Sequence, residues 1–287
     1  MTIRCVRALL DDGVPPQRIV VVDNGSTDGS ADRLRAELPA CVVLALPENV
    51  GYAGAANRGA AALAGDAYLV MNNDAFVHVP GSVRRLWDAL SDPSVGIVAP
   101  RLRNEDHTLQ PTVRPLPTPG VALLRAAGLG RAVPNSLQPN WSHHWDHAES
   151  RYVRAVDGAV FLVRGRTWDE LGGYNEARRM YGEDSDLCWR TQRLGWRILY
   201  ETGAEFVHLG NATGSRRWTN AQRATLIGGE ESKLIREQLS SAGAAISIGA
   251  TAGYLTWRRA LYLARGDRPA AAALRAERSA YLSGLRA

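Results

Sequence analysis

The chain has 287 residues, 45% of them apolar, and a formal charge of +5. That is enough for one large domain with a sizeable core, or a core with an appendage, and no run of about eighteen apolar residues is present to span a bilayer. The basic balance is almost wholly arginine, with Lys233 the only lysine, so a Gly-Lys-Ser/Thr phosphate loop is excluded and a Schiff-base mechanism would have to use Lys233.

The arginines are scattered and no aromatic-basic recognition motif accompanies them, so nucleic acid is not an expected partner. Arg4, Arg7, Asp11 and Asp12 interrupt any early apolar run, which argues against a signal peptide. Cys5, Cys41 and Cys188 have no metal spacing and leave one cysteine unpaired, which favours a reduced cytoplasmic compartment.

In chain order, residues 18–23 read as a fully buried strand and residues 24–29 as a turn into a helix. Residues 41–46 are a second strand, 52–63 a helix rich in small residues, and 67–71 a third strand. Residues 80–90 look helical, with Pro80 at the start where a missing N–H costs nothing, and 95–99 form a short strand. This alternation predicts an α/β fold with a mostly parallel central sheet flanked by helices. Regularity lapses from residue 101 to about 150, where Pro111, Pro115, Pro117, Pro119, Pro134 and Pro139 break long elements. Such a segment inside a compact domain reads as a binding loop or lid. Order returns at 154–163 and 167–171, then a helix at 183–194 and a strand at 205–208. The chain beyond residue 216 reads helical, with Tyr254, Trp257 and Leu261 on one helical face and Arg258, Arg259 and Arg265 elsewhere.

Chemistry concentrates where strands end, because open α/β sheets bind ligands at the C-terminal ends of their strands. Asp23 can accept hydrogen bonds from a nucleotide base or ribose there, or cap the next turn. Asp28 suits a cap for the helix that follows. Gly51, Gly54, Ala55 and Ala56 permit close backbone approach, to a nucleotide or to the sheet. Asn57 can reach a base or sugar, or serve packing. Asn72-Asn73-Asp74 ends the third strand, where Asp74 can hold a hard cation through oxygen, Mg²⁺ or Mn²⁺, that neutralises a diphosphate. Glu183-Asp184 opens a helix, where the dipole stabilises one acid more readily than three. His208 ends a strand and is either a ligand or a satisfied structural histidine. His143, His144 and His147 lack a carboxylate or cysteine partner and read as loop surface. Arg216 and Arg217 can clamp a phosphate or sit in water. Asp186 reads as a solvent or support residue.

Three motifs, Val20-Val-Val-Asp23-Asn-Gly-Ser-Thr-Asp28-Gly29, Glu48-Asn49-Val-Gly51-Tyr-Ala-Gly-Ala-Ala-Asn57-Arg-Gly59 and Asn72-Asn73-Asp74, resemble the nucleotide-binding half of family 2 glycosyltransferases. Asp157-Gly158-Ala-Val-Phe-Leu-Val-Arg164, Leu171-Gly-Gly-Tyr-Asn175, Tyr181-Gly-Glu183-Asp184-Ser-Asp-Leu-Cys-Trp189-Arg190, Gly195-Trp-Arg197 and His208 resemble its acceptor half. The ordered resemblance covers roughly two thirds of the chain and is most similar to bacterial rhamnosyltransferase-like members. It implies a GT-A fold and inverting transfer of a sugar, L-rhamnose from dTDP as best match, to a hydroxyl of a glycan or lipid-linked acceptor. It implies nucleotide-sugar binding by Asp23, Asn49, Gly51, Asn57, Asn72 and Asn73. Asp74 and His208 become the metal positions, Asp184 the general base with Glu183 beside it, and Gly158, Trp189 and Arg190 acceptor-binding positions. Asn72 departs from the family's Asp-x-Asp pattern and removes one carboxylate.

Residues 2–11 already match the family's first helix, so its opening strand is expected to be missing. The expected domains are a glycosyltransferase domain at 1–215, with a nucleotide half at 1–100 and an acceptor half at 101–215, and a helical extension at 216–287. Aromatic residues beside arginines in that extension suit peripheral association at the inner face of a membrane, or a helix closing the core or a dimer contact. Two other readings are a non-catalytic or truncated sugar-nucleotide-binding protein and a sugar-phosphate nucleotidyltransferase. The latter needs a glycine-rich loop with Arg and Lys that is absent here.

Overall fold

In the computed structural model, residues 1–129, 145–178, 181–210 and 219–283 are described. They form two compact units: Met1–Arg114 with Trp145–Gly210, and a second made of the described residues of 115–129 and 219–283. The second therefore takes in part of the segment that the sequence reading grouped with the acceptor half.

The first unit opens with helix α1 (Thr2–Asp11), which buries Cys5, Val6 and Leu9 along one face. Strands β1 (Val20–Asp23) and β2 (Val42–Ala45) pair in parallel across helix α2 (Ser30–Glu37). Helix α3 (Gly51–Ala62) leads to β3 (Ala67–Met71), β4 (Ala75–Val77), α4 (Ser82–Ala89) and β5 (Val95–Arg103). Two short strands follow, β6 (Leu109–Gln110) and β7 (Val113–Arg114), before α5 (Pro119–Ala126), which belongs to the second unit. The first unit resumes with β8 (Arg151–Val153), β9 (Ala155–Val156), β10 (Val160–Arg164), α6 (Gly165–Leu171), α7 (Glu183–Arg193) and β11 (Arg197–His208).

The main sheet runs β3-β10-β5-β11-β4, with β6 added to β5 and β8 to β11. The fold is α/β as expected, but this sheet is mixed rather than mostly parallel. Within it only β5 and β11 pair in parallel, and β10 runs antiparallel to both β3 and β5. Parallel strands need a long crossover, usually a helix. The stretch from 101 to 150 is also less irregular than its prolines suggest, since β5 continues to Arg103 and α5 starts at a proline tolerated in a helix's first turn.

Among the described residues, β1 pairs only with β2, and β3 only with β10, so the two sheets meet without sharing a ladder. They share a core instead. Val6, Leu9, Ile19, Val21, Leu34 and Leu38 form a buried cluster against which Leu69 and Met71 of β3 pack. On the main sheet, Leu86 of α4 is fully buried with Val98, Leu102, Val160 and Phe206. Each such side chain contributes about 1.5–3 kcal/mol by leaving water.

In the second unit the helices Asn220–Gln238, Ser241–Ala264 and Arg268–Ser283 pack together, and α5 lies against the middle one. Ile235, Ile248, Leu255, Leu274 and Tyr281 form their core. Thr219 and Gln222 close a reciprocal capping box on the first helix, and Ser240 caps the second.

Candidate active site

The third strand delivers its polar triplet as its spacing implies. Register pairs Met71 with Val160, and one step on Asn72 N–H donates to Ala159 O at 2.8 Å. Asp74 follows, buried at 8% exposure. His208, at the end of β11, sets its Nε2 3.3 Å from Asp74 Oδ1 and 3.3 Å from Asn72 Nδ2. Asn73 turns away, its Nδ2 donating to Thr2 Oγ1.

A hydrogen-bond chain fixes the ring of His208. Asn104 Nδ2 donates to Thr108 Oγ1 at 2.9 Å, which leaves its Oδ1 to accept from Gln110 Nε2 at 2.9 Å. Gln110 Oε1 then faces His208 Nδ1 at 2.7 Å and accepts its N–H. In the neutral ring this assignment leaves the lone pair on Nε2, beside Asp74. A nitrogen lone pair and a carboxylate oxygen at this separation suit neighbouring positions around one Mg²⁺ or Mn²⁺ ion, with diphosphate and water oxygens completing its shell. Among the described residues no group of three or more His, Cys, Asp or Glu could hold an ion by itself.

Asp184 meets the chain at Gly158, two residues before β10, whose first residue Val160 pairs with Met71. Helix α7 begins after Tyr181 and Gly182, both left-handed at φ 65° and 85°. Glu183, Asp184 and Asp186 lie in its first turn and Arg190 and Arg193 in its last, as its dipole favours. Asp184 Oδ2 accepts the Gly158 N–H at 2.8 Å, its Oδ1 is sealed from solvent, and the Tyr174 hydroxyl lies within the carboxyl's hydrogen-bonding surroundings. The absence of a side chain at Gly158 is required, because a Cβ there would overlap Asp184 Oδ1. Tyr52 Oη donates to Gly158 O at 3.2 Å, and its ring meets Tyr174 edge-on. Burial, then the charge of Glu183, pushes the Asp184 carboxyl well above the usual carboxylate range, and the Gly158 N–H only partly opposes this.

The nucleotide-half residues form a second cluster. Asp23 is buried at the end of β1, and its Oδ1 accepts from Ser26 N–H at 2.8 Å, so the turn-capping role is present. Asn24 ties this turn to the next loop, accepting from Val50 N–H and donating to Gly51 O. Asn49 Oδ1 accepts from Gly51 N–H, and Gly51 starts α3 at φ 81°. Gly25 lets the backbone of Glu48 and Asn49 approach where a Cβ would press into it. Asn57 joins the halves: its amide bonds Tyr174 N–H and O and Glu176 Oε1. Asp28 Oδ1 accepts from Ser30 N–H, consistent with a cap.

Two acceptor-half residues are engaged within the fold. Trp189 is buried, and Arg190 directs Nε to Asp186 Oδ2 at 2.7 Å and its two other nitrogens to Leu171 O and Gly173 O. Asp186 is no solvent residue. It is 1% exposed and held between Arg190 and Arg178. His147 likewise corrects the surface reading, for it is fully buried, stacked on Trp145 and edge-on to Tyr200. Burial lowers its pKa. His143, His144, Arg216 and Arg217 lie outside the described residues. The sequence reading missed Asn104 and Gln110, which carried no local signal, and quoted Asn24, Tyr52 and Tyr174 within its motifs without giving them a role.

Residues 1–152 match the model of glycosyl transferase family 2. The chain is 33% identical over 213 residues to an N-acetylglucosaminyl-diphospho-decaprenol L-rhamnosyltransferase of Mycobacterium tuberculosis, a match that covers 67% of this chain and 66% of that relative. It is 30% identical over 241 residues to a pre-mycofactocin glycosyltransferase of the same species, covering 83% of this chain but 47% of the relative. Among solved structures, it superposes with TM-score 0.58 and 17% identity on the mannosyltransferase PcManGT from Pyrobaculum calidifontis in complex with GDP-Man and Mn²⁺, over 97% of this chain and 80% of that one. GalNAc-T7 with UDP, GalNAc and Mn²⁺ superposes with TM-score 0.51 and 14% identity, over 72% and 40%. These structures share the GT-A fold. The chain belongs to glycosyl transferase family 2 and is rhamnosyltransferase-like.

Proposed function

We propose that this chain is an inverting glycosyltransferase, with Asp184 as the general base. The observation that carries the reading is the buried Asp184 carboxyl, anchored on the Gly158 N–H two residues before β10, while Asp74 and His208 meet just beyond the end of β3, the strand β10 pairs with. A carboxyl whose proton affinity is raised by burial is a stronger base for a hydroxyl than an exposed one. As the acceptor oxygen bonds to the anomeric carbon, its proton passes to Asp184. The bond from that carbon to the donor's diphosphate breaks on the opposite side, and the electron pair leaves with the diphosphate oxygen. Such a base typically contributes ~10²–10⁴-fold.

Asp74 and His208 would hold a divalent cation, Mg²⁺ or Mn²⁺, which when bound supplies positive charge to the departing diphosphate. Asn72, oriented by His208, offers a hydrogen bond to ribose or phosphate, and Asp23 and Asn49 border the nucleotide. The donor proposed is dTDP-rhamnose, and the acceptor a lipid-linked glycan hydroxyl at the inner face of a membrane. Likeness to a relative named for L-rhamnosyl transfer to a decaprenol-linked acceptor supports the rhamnosyl group and the lipid-linked acceptor.

Calorimetric titration of dTDP and UDP, with and without Mn²⁺, tests the reading on the wild-type chain and on Asp74→Ala. Expected is Mn²⁺-dependent binding, tighter for dTDP, that the variant loses. Absence of binding to either nucleotide would overturn the proposal.

A further inference from the structure

Two tyrosines from different parts of the chain converge on the Asp184 carboxyl, and the transfer step uses neither. Tyr52, in the first turn of α3, donates its hydroxyl to Gly158 O at 3.2 Å. Asp184 Oδ2 takes the N–H of that same glycine at 2.8 Å. One residue therefore holds a tyrosine at its carbonyl and the carboxyl at its N–H. Tyr174 completes the group. It is 3% exposed, and its ring stands edge-on to both Tyr52 and Trp168, with centroids 5.7 Å apart in each pair.

Tyr174 is fixed through its backbone as well as its ring. Asn57, also on α3, accepts the Tyr174 N–H at 2.8 Å and donates to the Tyr174 carbonyl at 2.9 Å. Gly173 before it lies at φ 72°, where a Cβ would press into the Asn57 side chain. With backbone and ring both held, the hydroxyl has little freedom to seek partners elsewhere. Tyr174 Oη and Asp184 Oδ1 are both closed off from solvent. The hydroxyl lies within the carboxyl's hydrogen-bonding surroundings, and the Tyr52 hydroxyl lies within reach of it in turn. A buried donor and a buried acceptor left unmade side by side cost free energy that their pairing recovers.

We infer that Tyr174 is a positioning residue for Asp184, its hydroxyl donating to Oδ1 of the ionised carboxylate while the Gly158 N–H holds Oδ2. Pinned at both oxygens, the carboxylate has a fixed plane. A donor to the charged form also favours that form, so Tyr174 opposes the burial and neighbouring acids that bias the carboxyl toward its protonated state. The titratable neighbours are Glu183 and Cys188 on α7, Asp157 ahead of β10, and the two tyrosines. Arg114 pairs with Asp157 at 2.8 Å and offsets its charge. The inference rests on the reading of Asp184 as the base for its purpose, while its test needs no donor, acceptor or cation.

The test is a carbon-13 NMR titration of the full chain labelled at its aspartate carboxyls, with the Asp184 signal identified by its loss in Asp184→Asn. Tyr174→Phe keeps the ring and removes the hydroxyl alone. Its Asp184 signal should titrate at higher pH, with about tenfold less carboxylate at a pH below the wild-type midpoint, the scale of one hydrogen bond to a charged group. A packing role alone would lower the unfolding temperature and leave the titration in place. An unchanged or lowered midpoint in the variant overturns the inference. So does a wild-type carboxyl that stays protonated until the chain unfolds in alkali. Should Tyr174→Phe not fold, fluorotyrosine incorporated throughout the chain supplies the measurement. Its more acidic hydroxyl is a stronger donor, so the midpoint should fall, and no movement overturns the inference. Absence of nucleotide binding would sink the transferase reading and leave this result as it stands.

Discussion

Asp184 holds one oxygen on the Gly158 N–H and keeps the other sealed, so the folded chain prefers this carboxyl with its proton on. With the folded pKa raised above the unfolded one, the carboxyl's contribution to stability is full below the ordinary carboxylate range. It is lost as pH rises through the elevated value. Once ionised, the base therefore strains the fold that uses it. Asp184→Asn should raise the unfolding temperature at neutral pH, with the difference closing in acid, while turnover falls by ~10²-fold or more. Paired thermal melts and initial rates across pH check both halves. Equal melts at neutral pH would deny the burial argument. Residues of this kind are legible as types, an acid opening a helix, but their tuning is not. The partners of Asp184 and His208, at Gly158 and Gln110, lie 26 and 98 positions away.

Elements carry the next level. β3 and α7 were readable because an apolar run stops at a polar triplet and because acids crowd one helix end while arginines crowd the other. β10 was readable as ordered, though not in direction, since a fully buried strand has the same apolar run whichever way it points. Arg190 was misleading for a related reason. Its family-like motif position marks it, yet its guanidinium is spent on Asp186 and the 171–173 loop, a contact set invisible in local pattern. In the helical unit, burial and the neighbouring Glu231 push the Glu277 carboxyl up to about 7, against the opposing charges of Arg258 and Arg125. The sign is the same as for Asp184: stability falls as pH climbs from the carboxylate range through about 7. Glu277→Gln is expected to stabilise the chain above that pH by on the order of 2 kcal/mol and to change little in acid. Chemical unfolding at two pH values measures it, and a loss of stability in the variant at high pH would contradict it.

For the whole molecule, the class α/β and the helical C-terminal part were evident from the rhythm of the sequence, while the division into two units was not. Unit 2 recruits Pro119–Ala126 from a proline-broken stretch, and only long-range packing against the helix Ser241–Ala264 reveals it. Asp184 and Glu277 belong to different units, and among the described residues the groups that chiefly shift each are different: Glu183, Gly158, Asp157 and Tyr174 for the first, Glu231, Arg258 and Arg125 for the second. Their stability effects are therefore expected to sum in the Asp184→Asn, Glu277→Gln double variant to within about 0.5 kcal/mol. A larger departure in the double-variant cycle would reveal coupling between the units.

The chain from Asn104 through Gln110 to His208 has a spectroscopic consequence. Because Gln110 retains the Nδ1 proton, arrival of a cation alters one ring nitrogen and spares the other. In nitrogen-15 NMR, the His208 Nε2 resonance should move on adding a diamagnetic divalent ion such as Mg²⁺ while Nδ1 keeps its proton and its shift. His208 is then a built-in indicator of cation loading, readable without donor, acceptor or turnover.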